Sequence, residues 1–364
     1  KDILEQSDWD VLIANYAIVR ADIEQLSEKQ FRLTVLDEAQ YIKNPDAQLT
    51  RAIKSLNSQR RLALTGTPIE NRALDLWSVM DFLNPDFLGN QKDFLDCYSG
   101  SDTGHQQLAE RIRPVILRRT KEKIAPELPA RTEETLTVDF SEKQQTIYTE
   151  ELEQARQQTT GKGAIDILAA LTRLRQICCH PALLDESYAE AESAKLQVLQ
   201  ELLTEIIDEG HSVLIFSQFT SMLAIIENIL HANNIKNRKI TGDTPATQRQ
   251  QRCKDFNESP DPEVFLLSLK AAGTGLNLTR ADYVFLYDPW WNPAVERQAI
   301  DRTHRIGQDK PVIAYRLVTR NSVEENVRKM QQQKAELFND IMNDTSDTDM
   351  SAKLTAQDLQ NLLG

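Results

Sequence analysis

The sequence has few cysteines, no long apolar run and no phosphate-binding loop of the Gly-x-x-x-x-Gly-Lys-Ser/Thr kind. Four cysteines in 364 residues do not make a disulfide framework, so we predict a reducing compartment and a cytoplasmic location. No apolar run approaches the roughly 18 residues that cross a bilayer, so no membrane partner is expected. The missing loop excludes the commonest cradle for nucleotide phosphates within these residues.

Acidic residues outnumber basic ones, with 55 Asp and Glu against 42 Lys and Arg and a net charge of −13. This balance argues against nucleic-acid binding by the surface as a whole, so a DNA-binding prediction needs a local basic segment. Residues 111–123 are such a segment, predicted either to follow a phosphate backbone or to form a solvated linker between domains. Its six basic residues are Arg111, Arg113, Arg118, Arg119, Lys121 and Lys123.

Strands and helices alternate in the first 73 residues. The apolar run Phe31–Leu36 predicts a strand that ends at an Asp-Glu pair, and Arg61–Leu64 predicts another that ends at a Thr-Gly-Thr turn. A weaker strand is predicted at Asp10–Ala14, and a helix at Asp46–Leu56. This alternation indicates an α/β fold with a parallel sheet, whose chemistry lies where the strands end.

The pattern becomes helical from about residue 74 to 184, with one short strand predicted at Arg131–Val138. Alternation returns after residue 212, where SVLIFS, EVFLLS, YVFLYD and VIAYRLV predict the strands of a second parallel sheet. A long helix is predicted from Ser322 to about Met342, and a short terminal helix at Thr355–Leu363. The length, more than twice the roughly 150 residues of an ordinary domain, also indicates two domains.

Two strand ends in the first half carry candidate catalytic residues. Asp37 could hold a Mg²⁺-bound water, while Glu38 could orient or deprotonate the attacking water of a nucleotide triphosphatase. The alternative is a solvated acidic pair. The turn Thr65-Gly66-Thr67 could sense a neighbouring phosphate; alternatively it is an ordinary turn before a helix that starts at Pro68.

Three further motifs lie in the second half. The glycines of AAGTGLNL allow close approach to a phosphate, and the alternative is a tight strand–helix turn. In QAIDRTHRIGQ, Arg302 and Arg305 are predicted to share a helix face that binds phosphate oxygens; otherwise they pair with neighbouring acids. In DPWWNP, two tryptophans either pack in the core or present a ring to a nucleic-acid base. Cys178-Cys179-His180 is predicted to be packing rather than a metal site.

Eight blocks, in this order, resemble the Swi/Snf-related branch of the superfamily-two helicases, the ATP-dependent DNA translocases. They are LDEAQYIKN, LTGTPIEN, ILRRTKEKIAPELP, LRQICCHP, VLIFSQFT, ITGDTP, LLSLKAAGTGLNLTRADYVFLYDPWWNP and QAIDRTHRIGQ. The resemblance covers nearly the whole chain, and the residues around NPDFLG and RLRQICCHPALL are most similar to bacterial members.

The resemblance implies two RecA-like parallel-sheet lobes with helical insertions, which close on ATP and Mg²⁺ with double-stranded DNA across both. Asp37, through a water, and Glu38 would handle Mg²⁺ and the attacking water. The residues that would face ATP from the second lobe are Gln298, Gly275, Arg302 and Arg305. The residues that would couple the lobes are Thr65, Gly66 and Thr67. The residues that would face DNA are Ser217, Gln218, Thr274, Trp291, Arg118 and Arg119.

The resemblance also implies domain boundaries. Residues 1–73 would be the remainder of a truncated first lobe, and 191–320 the second lobe. Between them would lie a first helical insertion at 74–115, an interlobe linker at 116–140 and a second insertion at 141–190. Residues 321–364 would form a helix that braces the first lobe, followed by an acidic tail.

Two departures from the family pattern matter. Ala14-Asn15-Tyr16 stands where the family usually has Thr-Ser-Tyr, which removes a hydroxyl contact to phosphate that Asn15 could replace. The phosphate loop is also absent; in the family it precedes the acid pair by about a hundred residues, so we expect it upstream of Lys1. We therefore predict that this chain alone does not hydrolyse ATP.

The sequence supports three hypotheses about function. The first is a bacterial ATPase motor that moves on double-stranded DNA near the nucleoid, with RNA polymerase or other DNA-associated proteins as further partners. The second is a non-catalytic module that keeps the fold and binds nucleic acid or protein. The third is an RNA helicase, which the tryptophan loop and the linker arginines argue against.

Overall fold

The computed structural model describes residues 9–66, 73–98, 102–117, 119, 121–159, 163–272, 275–332, 360 and 362–363. The chain divides into two compact units. Unit 1 comprises residues 1–117 with 334–353, and unit 2 comprises 118–333 with 354–364. Within the described ranges, no helix combines the length and the apolar character that crossing a membrane requires.

Unit 1 contains two small parallel sheets, each of two strands. Strands β1 and β3 form one sheet, and β2 and β4 form the other. The elements up to residue 63 are helices α1 (Tyr16–Ala21) and α2 (Ile23–Ser27), strands β1 (Gln30–Phe31) and β2 (Thr34–Leu36), a 3₁₀-helix (Ala39–Ile42), helix α3 (Gln48–Lys54), and strands β3 (Asn57–Ser58) and β4 (Arg61–Ala63).

Two strand predictions in unit 1 need correction. The run Phe31–Leu36 is not one strand, because it is interrupted at Arg32-Leu33 and its two halves pair with different partners. Asp10–Ala14 forms no strand. A strand needs a hydrogen-bonded neighbour, and the described residues contain no ladder partner for this segment. The predictions at Arg61–Leu64 and Asp46–Leu56 are confirmed by β4 and α3, each slightly shorter than predicted.

The second part of unit 1 is helical, as the sequence predicts. It consists of helices α4 (Ala73–Leu83), α5 (Gln91–Tyr98) and α6 (Asp102–Ile112), followed by a 3₁₀-helix (Arg113–Val115). Their apolar faces bury one cluster, which consists of Leu76, Trp77, Met80, Leu88, Phe94, Leu108 and Ile112. Val79 and Phe82 of α4 turn towards the strands instead and pack with Leu36 and Ile42. Helix α4 therefore joins the two halves of unit 1.

Unit 2 is built on a six-stranded parallel sheet in the order β5-β10-β9-β6-β8-β7. The strands are β5 (Arg131–Val138), β6 (Val213–Ser217), β7 (Asn237–Ile240), β8 (Val264–Ser268), β9 (Tyr283–Leu286) and β10 (Val312–Thr319). Every residue of β6 and β8 is buried, which explains why both are continuous apolar runs rather than alternating ones.

Five of these six strands are predicted by the sequence. The exception is β7, whose residues NRKI are mostly polar because it lies at one edge of the sheet and is only partly buried. The short strand predicted at Arg131–Val138 is confirmed as β5, and all eight of its residues pair with β10 at the opposite edge.

Helices cover both faces of the sheet and bury a cluster on each. The helices of unit 2 up to residue 300 are, in chain order, α7 (Lys121–Ile124), α8 (Glu142–Thr159), α9 (Ala164–Cys179), α10 (Ala194–Asp208), α11 (Thr220–Ala232), α12 (Ala246–Asn257), α13 (Leu269–Ala272) and α14 (Pro293–Ile300), with 3₁₀-helices at Pro181–Leu183 and Glu186–Tyr188. Of these, α8 and α9 pack against each other in a separate cluster.

The long helix predicted after Ser322 is confirmed over residues 323–332, and its predicted remainder to Met342 lies outside the described residues. Most of the predicted terminal helix Thr355–Leu363 also lies outside them. Leu362 and Leu363 are buried in a cluster with Ile147 of α8 and Leu171 of α9.

Candidate functional site

The acid pair of unit 1 lies at the carboxyl end of β2, beside the end of β4. The two strands pair in parallel, with Leu36 opposite Ala63. Two backbone hydrogen bonds continue the ladder: Leu64 N donates to Leu36 O at 2.8 Å, and Ala39 N donates to Leu64 O at 2.9 Å. The Asp-Glu pair is therefore held against the start of the Thr-Gly-Thr turn, where a parallel sheet places its chemistry.

Glu38 adopts a left-handed backbone conformation, with φ of 52° and ψ of 54°. A glutamate in this region is uncommon and disfavoured, and such residues concentrate at functional sites. Glu38 N donates to Asp37 Oδ1 at 3.0 Å, which closes the turn. The conformation thus separates the directions of the two carboxylates immediately after the strand.

Gln40 joins the acid pair to the turn, a role that the sequence patterns did not identify. Its Nε2 donates to Glu38 Oε2 at 2.7 Å, and its Oε1 accepts from Thr65 Oγ1 at 2.8 Å. The amide uses its donor and its acceptor at once, so Gln40 connects Thr65 to Glu38 through two hydrogen bonds. The only signal in the sequence is a glutamine two residues after the glutamate.

Tyr16 supports the acid pair from helix α1. Its hydroxyl donates to Asp37 O at 2.8 Å. Burial, followed by the negative charges of Asp37 and Glu38, raises the pKa of Tyr16 to about 12, so the hydroxyl remains a donor at neutral pH. The side-chain oxygen of the preceding Asn15 caps helix α1 by accepting from Ile18 N at 2.8 Å.

The Asp37 carboxylate has the chemistry of a Mg²⁺ site of the nucleotide type. It is exposed at a strand end, and one of its oxygens accepts from the Glu38 backbone. Mg²⁺ keeps several waters and usually takes only one or two carboxylates together with substrate phosphates, so a single carboxylate is sufficient. Within the described ranges no cluster of three or more His, Cys, Asp or Glu could form an all-protein metal site.

In unit 2, the two candidate arginines do not share a helix face, contrary to the prediction. Helix α14 ends at Ile300 with Asp301 as its C-cap, and residues 301–307 form turns. Arg302 is buried at 2% exposure, whereas Arg305 is half-buried. The prediction rested on the three-residue spacing of the arginines, which does not reveal that the helix ends before Arg302.

Asp301 anchors this arginine segment to helix α7 and to the first residue of β5. Its carboxylate accepts from Lys121 Nζ at 2.6 Å and from Arg131 at 3.1 Å, and its backbone oxygen accepts from Arg305 Nε at 3.0 Å. Lys121 also donates to His304 O at 2.7 Å. The Asp301 carboxylate is thus bonded to two cations from outside the arginine segment, while its backbone oxygen holds Arg305.

The remaining ATP-facing candidates of unit 2 are Gln298 and Gly275. Gln298 lies on α14, half-buried. Gly275 has a φ of 71°, a conformation that favours glycine, in the turn after α13. Gly66 follows Thr65 in unit 1. Of the other candidates, Arg119 is exposed, and three lie outside the described residues: Thr67, Thr274 and Arg118.

The DNA-side candidates at the ends of β6 and β9 form one buried hydrogen-bonded cluster. Ser217 is fully buried, and its hydroxyl donates to Asp288 Oδ1 at 2.5 Å. Both Asp288 oxygens accept from Gln218 N at 3.3 Å. Ser217 thus supports the Asp288–Gln218 arrangement rather than forming an exposed contact, while Gln218 itself remains half-buried.

The two tryptophans face different parts of unit 2, as adjacent residues on a loop should. Trp290 packs against the sheet cluster, whereas Trp291 packs against the cluster formed by α8 and α9. Both are half-buried, so each combines a packing contact with a partly exposed ring. Cys178 and Cys179 are fully buried, and burial raises the pKa of both thiols, in line with the predicted packing role.

Comparison with known proteins agrees with these features. Residues 3–183 match the SNF2-related domain, and residues 194–307 match the helicase conserved C-terminal domain. The chain is 38% identical over 333 residues to the uncharacterized ATP-dependent helicase MG018 of Mycoplasma genitalium, covering 90% of this chain and 32% of that protein. It is 36% identical over 353 residues to the ISWI chromatin-remodeling complex ATPase ISW1 of Saccharomyces cerevisiae, covering 91% and 31%. The chain thus spans about a third of the length of these curated relatives.

Two solved structures match this chain over a larger share of their own length. The Sulfolobus solfataricus SWI2/SNF2 ATPase core in complex with dsDNA is 36% identical with a TM-score of 0.50, covering 92% of this chain and 73% of that one. The Sulfolobus solfataricus SWI2/SNF2 ATPase core domain is 34% identical with a TM-score of 0.52, covering 98% of this chain and 75% of that one. These matches confirm the predicted fold class of RecA-like parallel-sheet lobes. The chain therefore belongs to the SNF2-related, or Swi/Snf, family of helicase-like proteins.

Proposed function

We propose that these residues belong to an ATPase motor that couples ATP hydrolysis to movement along double-stranded DNA. The observation that carries the proposal is the hydrogen-bonded series Glu38–Gln40–Thr65 at the strand ends of unit 1. It joins a carboxylate suited to orienting water with a turn suited to sensing phosphate. A solvated acidic pair would have no need of such a connection.

The chemistry assigned to unit 1 is positioning of the attacking water. Asp37 would hold Mg²⁺ through a water, and the metal would neutralise charge on the β- and γ-phosphates of ATP. Glu38 would orient or deprotonate the attacking water. The left-handed backbone of Glu38 sets the direction in which its side chain leaves the strand end. The Gln40 Nε2 atom holds one carboxylate oxygen, Glu38 Oε2, at 2.7 Å.

The chemistry assigned to unit 2 is charge stabilisation and DNA contact. Arg302 and Arg305 keep their charge at every pH of interest and suit phosphoryl oxygens, and Gln298 and Gly275 would contribute to the same nucleotide site. Gln218, Trp291 and Arg119 are the described residues proposed to face DNA. Support for duplex DNA comes from the Sulfolobus core, whose solved complex contains dsDNA.

Further partners and location follow from this proposal. RNA polymerase or other DNA-associated proteins would be partners because a motor on DNA meets them, and the motor would act in the cytoplasm on the nucleoid. The relative ISW1 is named as the ATPase of a chromatin-remodeling complex, so at least one relative works with partner proteins.

A second candidate function applies to the 364 residues taken alone, a non-catalytic module that binds duplex DNA. It is favoured by the absence of any Gly-Lys-Ser/Thr in the printed sequence. That loop supplies backbone N–H groups, a lysine for the phosphates and a hydroxyl for Mg²⁺. We expect this polypeptide to bind duplex DNA without hydrolysing ATP; steady DNA-stimulated hydrolysis that Glu38→Gln abolishes would contradict this.

The motor proposal is tested by Glu38→Gln in a polypeptide that combines these residues with a phosphate loop. ATP turnover should fall by about 10²–10⁴-fold, the usual cost of losing a general base, while ATP binding is retained. Glu28→Gln, at an exposed glutamate of the same unit, is the matched control and should leave turnover unchanged. Turnover of the Glu38 variant within about threefold of the unmodified protein would refute the assignment.

A further inference from the structure

Helix α9 sends one arginine into the DNA-side cluster of unit 2. We propose that Arg175 is a positioning residue that fixes Gln218 and Trp291 for contact with DNA. This inference rests on the proposed function, because it takes those two side chains as DNA-facing. It adds a residue of the second predicted insertion, 141–190, to the DNA-binding machinery, although that residue itself does not reach the surface.

The contacts of Arg175 cover three separate targets. One terminal nitrogen donates to Gln218 Oε1 at 3.0 Å, and the other donates to the backbone oxygen of Pro289. The guanidinium carbon lies 4.9 Å from the centre of the Trp291 ring and 6.0 Å from that of Phe219. The same group therefore fixes the side chain of Gln218, the backbone before the tryptophans and the ring of Trp291.

The guanidinium is suited to this task because it is planar and carries donors in a fixed fork. A planar cation can donate at its edge while an aromatic ring covers its face, which a lysine ammonium cannot do with the same geometry. Arg175 is only 1% exposed, so direct neutralisation of a DNA phosphate is excluded in this arrangement. Its action on DNA must pass through the side chains that it holds.

Asp288 contacts both Arg175 and Gln218, whose side chain Arg175 holds. It is fully buried and lies 3.8 Å from the Arg175 guanidinium. It also accepts from Ser217 Oγ and from Gln218 N. Gln218 is thus fixed at its backbone by Asp288 and at its side chain by Arg175, so its amide has one defined orientation.

The opposite side of the tryptophan loop is held independently of Arg175. Gln331, in the helical segment 323–332, donates to Trp290 O and to Glu296 Oε1. Glu296 Oε1 also accepts from Trp290 N at 2.8 Å. Replacement of Arg175 should therefore release Trp291 and Gln218 while Trp290 and the rest of the loop stay in place.

The test uses Arg175→Lys and Arg175→Met in the 364-residue chain, with fluorescence anisotropy of labelled duplex DNA. Both should bind DNA about tenfold or more weakly, since a well-placed aromatic ring contributes about that much by stacking. Arg173→Met is the matched control: it lies on the same helix, is 53% exposed and pairs with Glu151. The control should leave DNA affinity within about twofold.

Salt dependence separates positioning from direct contact. Arg175→Met, which removes the charge, should leave the slope of log affinity against log salt unchanged, because Arg175 neutralises no phosphate. A slope smaller by about one would mean that Arg175 contacts the backbone directly and would overturn the proposal. If Arg175→Met does not fold, the decision rests on the DNA affinity of Arg175→Lys, which keeps a positive charge beside Asp288. An affinity within about twofold of the unmodified chain would then overturn the proposal.

A readout without DNA distinguishes failure of this inference from failure of the proposed function. In protein labelled with 5-fluorotryptophan, Arg175→Lys should shift the ¹⁹F resonance of Trp291 and leave those of Trp9 and Trp77 unchanged. An unmoved Trp291 resonance would overturn the positioning role. If the resonance moves but Trp291→Ala and Gln218→Ala both bind DNA normally, the DNA-facing assignment is wrong and Arg175 positions these residues for something else.

A double-mutant comparison completes the design. In the Gln218→Ala/Trp291→Ala background, Arg175→Lys should have no further effect on DNA affinity, because both side chains that it positions are gone. A full additional tenfold loss in that background would overturn the inference.

Discussion

Unit 1 and unit 2 each carry candidate site residues, but on very different frameworks. In unit 2, six parallel strands carry buried clusters on both faces of one sheet. In unit 1, the described strands form two separate pairs of two or three residues per strand, and the side chains on their faces are substantially exposed. Unit 1 nevertheless holds the proposed water-orienting glutamate. The extensive buried sheet and the proposed hydrolytic carboxylates are therefore located in different parts of the molecule.

The exposed side chains of unit 1 show what its short strands fail to bury. Val35 and Leu62 lie opposite each other in the β2–β4 ladder and are 47% and 46% exposed. They belong to a wider exposed set in unit 1, which includes Val11, Ile13, Leu33 and Leu64. A groove of about 780 Å³ lined by Trp9, Phe31, Leu36 and their neighbours lies beside them. Contiguous apolar surface of this kind favours association.

The largest contrast should appear in amide hydrogen exchange of the whole chain. We expect opening free energies near zero for β1 to β4 and near the global value, about 5–15 kcal/mol, for β6, β8 and β9. The physical reason is that the β6 and β8 amides lie within a fully buried ladder. Exchange followed by mass spectrometry measures both units in one sample. Equal protection in β4 and β8 would abolish the comparison.

A second contrast should appear when matched core residues are truncated. Phe285→Ala, in β9, should lower the unfolding free energy of unit 2 by about 3–5 kcal/mol, because its side chain is fully buried. Phe82→Ala, in α4 of unit 1 and equally buried, should change only the less stable transition. Urea unfolding followed by far-UV circular dichroism should resolve the two transitions. A single transition shifted equally by both variants would show that the units unfold together.

The apolar ladder of unit 1 gives an intermediate effect. Val35→Lys/Leu62→Lys should weaken self-association of the chain and raise its Kd about tenfold, because two adjacent exposed apolar side chains become charged. Sedimentation velocity at several concentrations measures the change. The control is Leu168→Lys, at a partly exposed leucine of α9 in unit 2, which should leave association unchanged. Association reduced equally by the control would place the contact outside unit 1.

The sequence predicts the framework of unit 2 better than that of unit 1, for a physical reason. Strands β6, β8, β9 and β10 are largely buried in a parallel sheet, so their residues are mostly apolar and visible as runs. Strands β1 and β3 have only two residues each, too few for any period, and β3 consists of Asn57 and Ser58.

The site residues show the same division between local and distant information. Asp37 and Glu38 are predicted because a strand end marks them, whereas Gln40 acquires its role from Thr65, 25 positions away. Arg175 acquires its role from Gln218, 43 positions away. Neither partnership leaves a periodic or spaced pattern, so only the folded chain reveals it. The predicted helix through Arg305 instead ends at the C-cap Asp301, whose carboxylate contacts Lys121 and Arg131, both at least 170 positions away.

The smallest expected effect is an acid limb in the stability of unit 2. Burial raises the pKa of Glu263, but the hydrogen bonds from Arg238, Lys236 and Ser259 and the charge of Arg238 outweigh it, and the net pKa lies below the ordinary 4.5. A carboxylate with a depressed folded-state pKa stabilises the protein above its unfolded pKa. That contribution is lost as the pH falls from about 4.5 through the folded-state value, because the unfolded chain then binds more protons.

Glu263→Gln should therefore flatten the decline of the unit 2 unfolding free energy below about pH 4.5 and leave the decline of the unit 1 transition as it is. The matched control is Glu258→Gln, at an exposed glutamate of the same region whose carboxylate lies 4.0 Å from Lys254. Urea unfolding at closely spaced pH values from 3 to 6 measures the slope of the unfolding free energy against pH. This slope is proportional to the difference in bound protons between the unfolded and folded states. An unchanged acid limb in the Glu263 variant would mean that Glu133, whose pKa is also lowered by Arg316 and Arg131 despite burial, dominates it. The same limb appearing in unit 1 alone would contradict the assignment of the acid-sensitive carboxylates to unit 2.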